Sequence, residues 1–220
     1  MVEKRKLTAF YIAMYLIIFF AIWSVRELVF RPVWLNRFDG LIFEILQTVT
    51  KLLVWALPAI LLIKHFQDDM WVSLKDMFTN KPRWFKSAPA LLLVFFPPIS
   101  ALVLHREIAI RPNIVPVTFI GMVVSSVFTE EIVFRGFLLN AMLKRMKPWI
   151  AVLINAILFA LIHYPIWIYS GLDFATILFN SIQILPISAL FAFSFIKTKN
   201  ILVPGLLHLI WNLLGMLFVA

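Results

Sequence analysis

The chain contains no cysteine. That absence removes disulfides, thiolate metal sites and cysteine nucleophiles together. Charge is scarce as well: 14% of residues are Asp, Glu, Lys or Arg, where a soluble domain carries about a quarter. A Gly-x-Ser-x-Gly elbow, a His-Glu-x-x-His zinc helix and a pair of aspartates within an apolar segment are all missing, so three common hydrolase designs lack their signatures. There is no low-complexity tract, no internal repeat and no sign of a second domain. Segments of alternating polarity, which a β-barrel requires, are not present.

What the sequence does have is apolar surface. Of its 220 residues 63% are hydrophobic, with 22 Phe and 8 Trp, and the mean hydropathy is +0.97. So much apolar surface cannot hide in one small aqueous core, and lipid must be the solvent for most of it. The expected fold is an all-α transmembrane helix bundle of seven spans, forming one integral membrane domain over 1–220. The spans are expected near 7–30, 41–64, 87–105, 114–140, 148–170, 175–196 and 200–220. The first follows Lys4-Arg5-Lys6 as a signal peptide would. Its apolar run is too long for one and no small-x-small site follows, so it reads as an uncleaved helix.

Lys and Arg exceed Asp and Glu by 20 to 11. The basic residues fall in connecting loops, not in a folded basic module, so the excess reports topology and no nucleic-acid partner is expected. Placing the N-terminus in the cytoplasm gives that side thirteen loop cations: Lys4, Arg5, Lys6, Lys64, Lys75, Lys81, Arg83, Lys86, Lys144, Arg145, Lys147, Lys197 and Lys199. The outer loops hold four, Arg31, Arg37, Arg106 and Arg111. Seven spans then leave the C-terminus external. In the longest cytoplasmic loop, Met70, Trp71, Leu74, Met77 and Phe78 share one helical face. This fits either a short interfacial helix on the inner leaflet or an ordinary loop helix.

Ionisable groups within apolar helices are costly and mark polar cavities. The densest group is Thr129-Glu130-Glu131-Ile132-Val133-Phe134-Arg135-Gly136. Glu131 and Arg135 are spaced i, i+4 and can pair. Glu130, rotated by about 100°, lacks that partner. A lone carboxylate of low acidity suits a general base, whereas a structural ion pair with a spare solvated carboxylate would need no chemistry. Segment five adds His163, and segment seven adds His208 and Asn212 one turn apart. At ~1.5 Å per residue, Glu130 lies roughly 21 Å from Lys144, His163 about 24 Å from Lys147, Asn212 roughly 20 Å and His208 about 14 Å from Lys199. Four polar groups on three helices thus share a depth. Arg26, Glu27, Glu44 and Lys51 lack a matching histidine set and read as structural pairs or cavity lining; His65 and His105 sit at segment ends.

Three motifs, Glu130-Glu131-x-x-x-Arg135, Phe159-x-x-x-His163 and His208-x-x-x-Asn212, follow one another on separate helices. Together they resemble the motif set of the CAAX-protease and bacteriocin-processing (Abi, or CPBP) family of intramembrane proteases. The resemblance covers roughly 120–215, and the motif-bearing catalytic part is about 114–220. It implies a helical bundle with a cavity open to the cytoplasmic side and hydrolysis of a peptide bond in a membrane-associated peptide or protein. Glu130 would activate water and His163 would help hold it. His208 and Asn212 would stabilise the oxyanion, with Glu131, Arg135 and Phe159 in support. The family's eukaryotic branch trims prenylated CAAX proteins, while bacterial members are linked to peptide maturation or bacteriocin self-immunity. The compact chain and short loops point to the bacterial kind, in a plasma membrane.

The chemistry needs an activated water, oxyanion donors and a proton for the leaving amine, all of which Glu, His and Asn supply. No cofactor is preferred. Zinc held by His163, His208 and Glu130 is the alternative, but it would leave Glu131 as base although its spacing favours Arg135. Two other functions compete with proteolysis. A proton-coupled transporter would be expected to show inverted repeats, which are not found. A non-catalytic immunity or binding protein would keep the motifs without turnover.

Overall fold

The computed structural model describes residues 9–83, 109–110 and 126–219, with side chains beyond Leu214 and at Ser126, Ala109 and Ile110 left aside. Among the described residues there are seven α-helical elements: α1 (Ala9–Arg37), α2 (Gly40–His65), α3 (Leu74–Thr79), α4 (126–143), α5 (Pro148–Tyr169), α6 (Phe174–Thr198) and α7 (Leu202–Leu217). The two-residue segments Ala109–Ile110 and Phe218–Val219 pair antiparallel. Helices α1, α2, α5 and α6 are long and apolar enough to cross a membrane, and α7 is apolar but shorter. These match the expected spans at 7–30, 41–64, 148–170 and 175–196. The expected span at 87–105 and the first part of that at 114–140 lie outside the described residues, as does His105.

Proline shapes the two N-terminal spans. In α1 the segment Arg26–Phe30 widens to a π-helical turn just before Pro32, and in α2 Leu52–Ala56 does so just before Pro58. A proline ring clashes with the carbonyl four residues earlier, here Leu28 and Val54, and a wider turn relieves the clash without breaking the helix. Helix α1 runs on to Arg37, past the expected end at residue 30. Pro186 lies within α6 and is likewise absorbed. Starts are set by side chains. Asp39 accepts from Ile42 N–H at 2.9 Å, Ser73 from Asp76 N–H at 3.1 Å and Asp173 from Thr176 N–H at 2.7 Å, satisfying amides that a helix start leaves unpaired.

Helix α4 lies at the centre. Its whole stretch Ile132–Leu139 is buried and π-helical, between α2, α5, α6 and α7. Aromatic rings fill the space beside it: Phe19 meets Phe134 at 5.9 Å, Tyr15 meets Phe137 at 4.9 Å and Phe159 meets Phe134 at 5.2 Å. Large apolar side chains on the outer faces remain uncovered, among them Ile17, Trp149, Ile168 and Phe174, as suits helices whose solvent is lipid.

The loop after α2 is fastened to the bundle. Asn140 of α4 accepts from Val72 N–H and donates to Val72 C=O, each at 2.8 Å. Asn80 donates to the Lys199 carbonyl at 3.0 Å, and Ile201 N–H to the Met77 carbonyl at 2.8 Å. The helix in this loop covers only Leu74–Thr79. Met70 and Met77 face the protein, fully or almost fully buried, so part of the apolar side of the segment packs on protein. Trp71 and Leu74 are half-buried and Phe78 is exposed, so the outer edge of the segment stays open and both the loop-helix and the interfacial-helix readings stand.

Candidate active site

Helix α4 presents two adjacent carboxylates, Glu130 and Glu131, that meet different surroundings. Glu131 Oε1 takes a hydrogen bond from Arg135 Nη1 at 3.1 Å and lies 2.8 Å from His208 Nδ1. Arg135 is buried completely. Its Nη2 donates to the Ser188 hydroxyl at 2.7 Å and to the Ser188 carbonyl at 2.9 Å, while the guanidinium carbon lies 4.5 Å from the Phe159 ring centre and 5.4 Å from that of Phe191. A guanidinium so enclosed keeps its charge through charge-assisted bonds and ring faces. A carboxylate can only accept, so His208 carries a proton on Nδ1, which leaves Nε2 as the nitrogen on the Glu130 side. That Nε2 lies 3.8 Å from Glu130 Oε2, beyond a direct hydrogen bond. Phe191 stacks on the His208 ring at 4.9 Å, and the ring centres of Phe159 and His208 are 5.7 Å apart, edge to face.

His163 is placed by a break in α5. Pro165 cannot donate to the Leu161 carbonyl, and the helix tightens so that His163 N–H bonds the Ala160 carbonyl at 3.1 Å. The Phe159 carbonyl is then available to the His163 ring, whose Nδ1 lies 3.0 Å away. A carbonyl only accepts, so this ring also carries its proton on Nδ1. His163 is within electrostatic range of Glu130 and His208, and its ring centre is 5.3 Å from that of Phe159.

Six of the seven residues expected from the motifs thus gather around α4: Glu130, Glu131, Arg135, Phe159, His163 and His208. Asn212 follows one turn after His208 on α7, half-buried, and makes no hydrogen bond among the described residues. Three site residues carried no motif. Ser188 and Phe191 are ordinary members of an apolar helix, and Asn155 of α5 donates to the Phe134 carbonyl at 2.7 Å, fixing α5 on α4. The one sequence signal was a small hydroxyl residue in the helix already marked by Pro186.

The second polar group reaches this site from the other side. Arg26 pairs with Glu27, the Arg31 Nε is 3.8 Å from Glu27, and Arg26 lies 5.9 Å from the Trp55 ring centre. These are structural pairs, as expected. Lys51, however, is within electrostatic range of Glu130 as well as of Arg26, Glu27 and Glu44, so the group adjoins the catalytic candidates. His65 is exposed, against Phe66. Among the described residues no three His, Asp or Glu side chains are arranged to hold a metal ion.

Residues 112–214 match the sequence profile of the family described as Type II CAAX prenyl endopeptidase Rce1-like. Over that stretch the chain is similar to the CAAX-protease (CPBP) family of intramembrane proteases, in line with its three motifs. With four helices long and apolar enough to cross a membrane, this likeness supports a membrane protein of CAAX-peptidase type. No similar protein was found among curated sequences and no similar fold among solved structures.

Proposed function

We propose that the chain hydrolyses a peptide bond of a membrane-associated peptide or protein with water activated by Glu130. The observation that carries this reading is the contrast between neighbouring carboxylates. Glu131 Oε1 is shared between Arg135 and His208, whereas Glu130 approaches His208 only to 3.8 Å and makes no hydrogen bond among the described residues. Glu131 is held through Oε1 although its buried Oε2 has no partner among the described residues, whereas Glu130 is held by neither oxygen, and we assign the base to Glu130 on that difference.

In the reaction Glu130 removes a proton from water as its oxygen attacks the scissile carbonyl carbon. His163, whose Nδ1 proton is committed to the Phe159 carbonyl, offers Nε2 as an acceptor that helps hold this water. The proton passes from Glu130 to His208 Nε2, giving an imidazolium stabilised by Glu131 in the manner of a histidine–carboxylate couple. The imidazolium and the Asn212 amide donate to the oxyanion. As the C–N bond breaks, His208 returns the proton to the leaving amine. No step in this scheme calls for a metal, and we take hydrolysis to be metal-free.

The compact chain and short loops favour peptide maturation or bacteriocin self-immunity in a bacterial plasma membrane over trimming of prenylated proteins. The loop cations favour seven spans, with the N-terminus cytoplasmic and the C-terminus external. The test is purified chain in liposomes with prenylated and unprenylated membrane peptides, products being identified by mass spectrometry. Cleavage that survives prolonged chelation, with unprenylated peptides accepted, is expected. Zinc at one equivalent, with activity lost on its removal and restored on re-addition, would replace this mechanism with one in which His163, His208 and Glu130 bind metal. Binding without any product would point to an immunity protein.

A further inference from the structure

We propose that Ser188 is a positioning residue of the hydrolytic reaction, acting through Arg135 and Glu131 to hold the His208 ring with Nε2 toward Glu130; this rests on the mechanism above. The path is continuous and buried. Ser188, Arg135, Glu131 and His208 have exposures of 0%, 0%, 2% and 4%. Ser188 grips Arg135 Nη2 twice, through its hydroxyl at 2.7 Å and its carbonyl at 2.9 Å. Arg135 holds Glu131 Oε1 by the other amino group at 3.1 Å, and the same oxygen meets His208 Nδ1 at 2.8 Å. One carboxylate oxygen therefore serves both the guanidinium and the imidazole, and a shift of the first displaces the second.

Helix α6 acts on the histidine by a second route. Phe191, one turn beyond Ser188 and on the same face, stacks on the His208 ring at 4.9 Å with a 22° angle between planes. Stacking fixes the plane of the ring but not which nitrogen faces Glu131, since turning the ring over preserves the stack. That choice falls to Glu131, and through Arg135 to Ser188. A buried hydrogen bond to a charged group is also the kind whose loss is most felt.

The experiment compares wild type, Ser188→Ala and Ser188→Thr in kcat, KM, thermal stability and the ¹⁵N spectrum of histidine-labelled protein, with Glu130 intact throughout and His208 assigned by its replacement. Ser188→Ala should lower kcat roughly tenfold with KM unchanged, and should convert the Nδ1–H form of His208 to a mixture of tautomers. Ser188→Thr, which keeps the hydroxyl, should recover both. A Ser188→Ala protein that is less stable yet keeps its kcat and tautomer would overturn the proposal and leave Ser188 a packing role. Should the alanine variant not accumulate, Ser188→Cys, close in size but a weak hydrogen-bonder, is read by the same criteria. If the wild type cleaves nothing, the enzymatic reading fails by itself, and an unchanged His208 tautomer in the variant still overturns the positioning role.

Discussion

Arg135 shows how far a single residue can tie stability to chemistry in this bundle. It is wholly buried, and its partners are Glu131, Ser188 and two aromatic rings. Removing one partner of a buried pair strands the other charge, at a typical cost of ~3–5 kcal/mol. Arg135→Ala should therefore lose activity and melt at a clearly lower temperature in detergent. An unchanged melting temperature would contradict the buried pair. The pairing was legible from the i, i+4 spacing, as were Glu130, His163 and His208 from their common depth. Ser188 and Asn155 were not. Their roles come from helix–helix contact, which leaves no periodic trace in either helix, and a serine in an apolar span makes sense only once its neighbour is known.

At the scale of elements, the long helices were legible because lipid demands lengths near 20 residues and a nearly unbroken apolar run. The π-helical turns were not, though Pro32 and Pro58 mark two of the three among the described residues. The segment around Met70–Phe78 was ambiguous for a plain reason: a face that packs on protein and a face that lies on lipid need the same apolar pattern. Its attachment is testable. Asn140→Leu removes both bonds to Val72 and leaves a buried N–H and C=O unpaired at about 1–3 kcal/mol each; melting should fall and protease cleavage within 66–80 should rise. Resistance equal to wild type would show that the clasp is dispensable. At the start of α6, the hydroxyl and amide of Thr176 hold the Asp173 carboxyl below the usual carboxylate range. A depressed folded value means that the cap stabilises above the ordinary carboxylate pKa and fades as pH falls through the lowered value. The protection of the Thr176 amide against hydrogen exchange, relative to its intrinsic rate at each pH, should accordingly fall in acid, and in Asp173→Asn, which caps without titrating, it should lose that dependence; an equal fall in both would remove Asp173 as its source.

For the whole molecule, composition was enough to establish a helical membrane protein, and three spaced motifs were enough to point to the family that residues 112–214 match. Sidedness was legible only as a charge imbalance, because the fold of a bundle is the same whichever way it is inserted. A reporter after Ala220 should read as external and one near Lys81 as cytoplasmic; the same side for both would refute an odd number of spans between cytoplasmic N-terminus and external C-terminus. The central claim concerns Glu130. Wild type and Glu130→Gln, reconstituted at equal amounts in liposomes, should be compared for cleavage of a membrane peptide that the wild type processes. The account predicts no detectable product from Glu130→Gln while its melting temperature stays near that of wild type, because the replacement keeps size and removes only the base. Turnover at the wild-type rate in that variant would contradict it.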